Sequence, residues 1–136
     1  MQHTEFLDKL SDEQIASAIA RAEQKTTGHI RVYVSHHAVS DPVIAAQHRF
    51  DKLHMHHTLH RNAVLIFVAP KSRNFAVIGD AGIHQKCGEP FWQELTSDMA
   101  QHFKNEQWTQ ALLHGIEQAG ELLAKYFPQT TSQNVS

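Results

Sequence analysis

Hydrophobic positions along the chain follow two periods and one unbroken run. Val64 to Val68 is apolar at every position, as in a strand whose two faces are both covered. Phe75 to Ile78 is a second short apolar run, and the polar stretch Pro70–Asn74 between them predicts a turn. The two runs together predict an antiparallel hairpin, 62–69 with 75–80, at the centre of a sheet with helices on both sides. His29 to Ser35 alternates instead, with Ile30, Val32 and Val34 opposed to Arg31 and Tyr33. That alternation predicts a half-buried strand near a sheet edge.

Helical periods fill the remainder. Leu10-Ser11-Asp-Glu-Gln14-Ile15 reads as a helix start, with Ser11 as cap, Gln14 reaching back and Leu10 packing on Ile15. Ile15, Ala18, Ile19 and Ala22 make its apolar face, and the helix should end near Lys25. Asp41-Pro42 opens a second helix, with Val43, Ala46, Phe50 and Leu53 inward and an end at Met55 to Thr58. Gly79 to Gly88 reads as a loop. Glu89-Pro90 opens a third helix carrying Phe91, Trp92, Leu95, Met99 and Phe103. After a break near Asn105, a last helix lines up Trp108, Leu112, Ile116, Ala119 and Leu123, and Pro128 stops it. The expected fold class is α/β in three layers, in the order helix, strand, helix, strand, strand, helix, helix. Strands 29–35 and 62–69 should run parallel through a right-handed crossover. The expected core contains Ile30, Val32, Val64, Ile66, Val68, Val77, Leu95, Leu112 and Ile116.

With 136 residues the chain reads as one domain, 1–128, followed by a polar tail, 129–136, that is expected to be disordered. The net charge of −2 gives no reason to expect nucleic acid as a partner. The single cysteine, Cys87, excludes an internal disulfide. The first residues lack a basic stretch followed by an apolar one, and no apolar run is long enough to span a bilayer, so a cytoplasmic location is expected.

Topology brings polar residues to one sheet edge. Strands 29–35 and 62–69 begin there and strand 75–80 ends there. Glu23, Thr26 and Thr27 would meet Thr58, Arg61, Asn62 and Asp80. Carboxylates Asp80 and Glu23 with hydroxyl and amide oxygens suit a hard cation, Ca²⁺ or Mg²⁺. Arg61, with Asn62, Thr27 and Thr58 around it, suits a phosphate or carboxylate. A plainer arrangement accounts for the same residues: Glu23 solvated, Asp80 capping the next turn, Arg61 paired with Asp80. The opposite edge, with Ser35, His36, His37 and Asp41, is where open parallel sheets usually bind ligands, yet fewer segments converge there.

Histidine is the compositional outlier, with 12 copies. His54, His56, His57 and His60 crowd the end of the second helix, and His56 and His60 have the i, i+4 spacing of a shared metal. The glutamate of a His-Glu-x-x-His motif is missing, because residue 57 is His, and surface histidines are the simpler reading. Cys87 lacks the arginine of a cysteine-phosphatase loop. No Gly-x-Ser-x-Gly or Gly-x-x-x-x-Gly-Lys motif is present.

The stretches Ala22-Glu23-Gln-Lys-Thr-Thr27-Gly28-His-Ile-Arg-Val32, Phe50 to Ile66, Phe75-Ala-Val-Ile-Gly79-Asp80-Ala-Gly82-Ile83, Gly88-x-x-Phe91-Trp92 and Phe127-Pro128 together resemble the TPM domain family. That family groups a thylakoid lumen protein, a photosystem II repair protein and a nematode receptor modulator with many bacterial proteins. The resemblance covers about residues 10–128. It implies an α/β/α sandwich around a small mixed sheet, binding of Ca²⁺ or Mg²⁺, and a phosphatase label resting on few members. Three positions depart from the pattern. His54 stands where a glycine is usual, Ala63 replaces a glycine, and the tail after Pro128 lacks an acidic ending.

Two functions are therefore expected candidates. In one, the polar corner belongs to a non-catalytic binding or assembly module that holds a metal, a protein partner or a phosphorylated small molecule. In the other, a cation on Asp80 and Glu23 polarises a phosphoryl oxygen and activates water while Arg61 neutralises charge, making a metal-assisted phosphatase.

Overall fold

The unbroken apolar run becomes the central strand. In the computed structural model, which describes residues 9–87 and 89–129, β2 spans Ala63–Ala69 and all seven of its residues are buried. Strand β1, His29–Val34, pairs with it in parallel, Ile30 opposite Val64 and Val32 opposite Ile66. Strand β3, Asn74–Gly79, returns antiparallel, Val77 opposite Ile66 and Gly79 opposite Val64. The order is β1-β2-β3. Both strands of the expected hairpin are present, but only β2 is central and β3 is an edge.

Side chains of a strand alternate between faces, and β2 serves two cores in this way. Val64, Ile66 and Val68 face helices α1 (Lys9–Glu23), α4 (Glu89–Lys104) and α5 (Trp108–Tyr126), through Ile15, Leu95, Met99, Leu112, Ile116 and Leu123. Ala63, Leu65, Phe67 and Ala69 face Ala46 and Phe50 of α2 (Pro42–Lys52). The layers are therefore helix, sheet, helix, a mixed α/β fold. Of the expected core, Val32 and Val77 are only partly buried, because they lie on the two edge strands.

Helix boundaries differ from the expected ones in three places. The backbone is already helical at Lys9, so the start expected at Ser11 falls inside α1. The proposed cap and staple side chains of Leu10 and Ser11 lie outside the described residues. Helix α2 starts as expected, with Asp41 accepting from the Val43 and Ile44 amides, but it stops at Lys52. Leu53 caps it and His54 follows at φ 57°, a left-handed conformation that glycine adopts most cheaply. That backbone angle gives a physical reason for the glycine usual at this place in the TPM pattern. Consequently His56 and His60 do not share a helix, and their helical spacing loses its meaning. Finally, the expected 79–88 loop contains a short helix, α3 (Ala81–Cys87). Ile83, fully buried, anchors it to the core.

The chain end is tied down by Thr26, which is 1% exposed. Its hydroxyl contacts the Leu123 and Phe127 carbonyls and accepts from the Gly28 amide. Thr26 also bridges to Pro128. Gln129, expected in the disordered tail, is instead held in place, donating from its amide to the Lys25 carbonyl and from its side chain to that of Thr26. Residues 130–136 lie outside the described residues.

Candidate functional site

The polar corner forms where β2 begins and β3 ends. Asp80 follows the last residue of β3, and its amide donates to the Ala63 carbonyl at 3.0 Å. Its carbonyl accepts from the Ile83 and His84 amides, and its Oδ1 accepts from the Ala81 amide at 2.7 Å. Asp80 therefore precedes α3 directly, and its carboxylate satisfies the first free amide of that helix. Across the corner, Arg61 Nε donates to Asp80 Oδ2 at 2.8 Å and Nη2 to Oδ1 at 2.9 Å. This is the two-pronged geometry of a strong guanidinium–carboxylate pair. The Asp80 side chain is 6% exposed and that of Arg61 51%.

Arg61 reaches this position through an unusual backbone, with φ at 53°. Its carbonyl is fixed by the Gly82 amide at 2.9 Å. Residue 82 must be glycine for that approach, since a Cβ there would lie 2.2 Å from the His60 carbonyl oxygen and 2.7 Å from that of Arg61. Arg61 and α3 are thus locked together through main chain as well as side chain.

Burial by itself raises the Asp80 carboxyl. The Arg61 hydrogen bonds, the Ala81 amide and the charges of Arg61 and His56 outweigh it and hold the group below its ordinary 3.8. The same partner raises the Arg61 guanidinium. A carboxylate depressed in the folded state contributes stability above its unfolded value and loses it as pH falls through its lower folded value. The wild type is therefore expected to lose its stability advantage over Asp80→Asn in acid, below about pH 4. Denaturant midpoints of both proteins across the acid range check this, and an advantage that persists unchanged to about pH 2 would refute it.

A pocket of about 330 Å³ opens over the pair, with Gln47, Phe50 and Asp51 of α2, His56, and Ile78 around it. His56 Nδ1 stands 3.9 Å from Asp51 Oδ1. The expected metal partner of Asp80 is not in this pocket. Glu23, at the end of α1, accepts from the Ile30 amide of β1 at 2.8 Å. Ile30 and Gly79 are separated by β2, two strand spacings or about 10 Å. Glu23 lines a separate pocket of about 350 Å³ with His29, Arg31, His54 and Thr58. Asn62, 1% exposed, lies on the β2 side of the corner. Its side chain donates to the Thr27 hydroxyl at 3.2 Å, and its amide to the Thr58 hydroxyl at 3.3 Å. Thr27, Thr58 and Asn62 are therefore brought together, and Arg61 with Asp80, but Thr58 lines the Glu23 pocket and not the one over the Arg61–Asp80 pair. Gln47 and Asp51 were not among the expected site residues, since nothing in their spacing marks them, and His56, singled out for its spacing from His60, lines the pocket with Arg61 and Asp80 instead. Among the described residues, no group of three or more His, Cys, Asp or Glu side chains is placed to hold a metal ion. At the other sheet edge the polar groups are engaged locally. Asp41 caps α2, and the Ser35 hydroxyl donates to the His37 carbonyl.

A family model described as the TPM domain matches residues 1–122. Among solved structures, the chain is similar to the BA42 protein of the psychrophilic bacterium Bizionia argentinensis, at 36% identity and a TM-score of 0.86, over 93% of this chain and 88% of that one. The N-terminal domain of a Corynebacterium glutamicum protein shares the fold at 17% identity and a TM-score of 0.66, covering 86% of this chain and 74% of that one. So does the N-terminal domain of a P. gingivalis protein, at 13% identity and a TM-score of 0.71, covering 89% and 78%. No curated protein matches the chain. Among the described residues, no helix is long and apolar enough to cross a membrane.

Proposed function

The chain belongs to the TPM domain family, and from that premise we propose that it is a non-catalytic binding module whose ligand site is the Arg61–Asp80 corner. One observation carries this reading. A nearly buried carboxylate and a half-exposed guanidinium are clamped face to face on the floor of an open pocket, on a backbone held at positive φ. Strained backbone is retained where the surroundings enforce it, and it concentrates at ligand clamps. The closed pair is self-neutralised. It opens for a ligand that replaces what each partner loses, a hard cation for Asp80 and an anionic group for Arg61. The oxygens of Asp80, Asp51 and Gln47 suit Ca²⁺ or Mg²⁺. The freed Arg61 suits a carboxylate or phosphate on a protein partner or a phosphorylated small molecule. Glu23 is left as a structural acceptor for β1.

The experiment is a thermal melt with millimolar Ca²⁺ or Mg²⁺ against excess chelator. A ligand that binds only the native state raises the melting temperature. The rise is expected in the wild type and in Glu23→Gln, and is expected to vanish in Asp80→Asn. A rise that survives in Asp80→Asn, or none in the wild type, removes the corner as the cation site. The family's phosphatase label favours a second reading, a metal-assisted phosphatase. In that reading water is the nucleophile, since the described residues lining the pocket include no serine, threonine or cysteine. Hydrolysis of p-nitrophenyl phosphate that requires Mg²⁺ and is lost in Asp80→Asn would establish it.

A further inference from the structure

A groove of about 700 Å³ runs between α1 and α5, in the helical layer opposite the one that holds α2 and the Arg61–Asp80 pocket. The two helices run the same way. A Cβ added to Gly120 would lie 2.8 Å from that of Ala22, and one turn further on the Thr26 hydroxyl meets the Leu123 and Phe127 carbonyls. Helix α5 buries Leu112, Ile116 and Leu123 against the sheet. Its apolar surface continues round through Leu113, Gly120 and Ala124, which line the groove with Ala18 and Ala22 of α1. Ala18, Ala22, Leu113 and Ala124 stay partly exposed. An apolar stripe wider than the helix's own core contact is a surface that a further element can cover.

The two walls of the groove carry opposite charge. Arg21 and, in the turn after α1, Lys25 stand on one side, and Glu117 and Glu121 stand on the α5 side. All four residues are exposed, and none of them joins an ion pair among the described residues. Among the lining residues, Lys125, one turn past Glu121, departs from this division. Because Ala22 is level with Gly120, Arg21 stands at the height of the gap between Glu117 and Glu121.

We propose that this groove is the contact between two copies of the chain, related by a two-fold axis that runs along it. Half a turn about that axis keeps each residue at its height and exchanges the walls. Helix α1 of one copy then lies over α5 of the other, and Arg21 and Lys25 meet Glu117 and Glu121 twice over. A two-fold axis across the groove would set α1 on α1 instead, with like charges opposed, so charge selects the first arrangement. Alanine and glycine at the waist of the groove let the facing helices approach closely. The contact is short, about 18 Å from residue 113 to residue 125 of α5. The dimer is therefore expected to be weak and salt-sensitive. This surface is independent of the Arg61–Asp80 corner.

Sedimentation equilibrium of the full chain from about 10 µM to about 1 mM tests the proposal. The average mass is expected to rise towards that of the dimer. Association is expected to weaken about tenfold or more when salt is raised from about 0.05 M to about 0.5 M. Arg21→Glu combined with Lys25→Glu is expected to weaken self-association about tenfold or more, because both contacts become repulsive. Glu117→Lys combined with Glu121→Lys is expected to do the same. An equimolar mixture of the two double variants is expected to dimerise like the wild type, since every contact again joins opposite charges. Melting temperatures close to that of the wild type check that these exposed substitutions leave the fold intact. A chain that stays monomeric to about 1 mM overturns the proposal and leaves the groove to a different protein. Double variants that associate like the wild type, or a mixture that associates no better than either variant alone, overturn it as well.

Discussion

Ile66→Ala is expected to lower the free energy of unfolding by about 2–5 kcal/mol, the range for truncating a fully buried isoleucine. Ile66 is 0% exposed at the middle of β2, with Val32 of β1 and Val77 of β3 opposite it in the ladder. Its side chain joins the larger core beneath α4 and α5, and its Cδ1 comes close to Gly115, where α5 crosses the sheet. Neighbours held by three helices cannot close over the missing atoms, so both lost transfer energy and a residual cavity contribute. Denaturant unfolding measures the change. A cost below about 0.5 kcal/mol, typical of surface positions, would show that β2 is not the centre of the sheet.

Gly82→Ala is expected to cost about 2–4 kcal/mol and to disturb the corner as well, through overpacking that has no easy relief. The atoms an added Cβ would meet are the His60 and Arg61 carbonyl oxygens, at 2.2 and 2.7 Å. Both belong to backbone, and the Arg61 oxygen also holds the Gly82 amide. Either α3 moves away from the 60–61 segment or Arg61 leaves Asp80. Gly115→Ala is the natural comparison. Its Cβ would meet Met99 Sδ at 2.7 Å and Cε at 3.0 Å, the end of a flexible thioether side chain that can shift. Its expected cost is about 1 kcal/mol. Denaturation midpoints of the two variants decide the matter. Equal costs would mean that the clamp between α3 and Arg61 yields as readily as a methionine side chain.

The same contrast between local and distant contacts separates what was legible in the chain from what was not. The apolar run at 64–68 specified a doubly covered strand, because only burial on both faces makes every position apolar. The alternation at 29–35 specified an edge strand, and β1 is one. Asp41-Pro42 marked the start of α2 because capping is an interaction between near neighbours, and the structure makes those hydrogen bonds. The end of α2 was not legible in that way. His54 carries no residue-level sign that its backbone turns left-handed, and reading the helix on to Thr58 lent His56 and His60 a spacing they do not have. Helix α3 was missed because seven residues give too little periodicity, and because Asp80 reads equally well as a cap or as a ligand.

The sequence by itself determined the layers, the central strand and the edge at which polar residues gather, since these follow from local patterning and chain direction. Tertiary structure alone decided how that edge divides. The register places Glu23 on the β1 side and Asp80 on the β3 side, and β2 keeps their strands apart. Asp80 is claimed by Arg61 and by the start of α3, and Glu23 by the Ile30 amide. A carboxylate near the end of a sheet must satisfy whichever donors the fold brings to it. The Ile30 and Arg61 donors come from 7 and 19 positions away in the chain, where no periodicity along the sequence reaches.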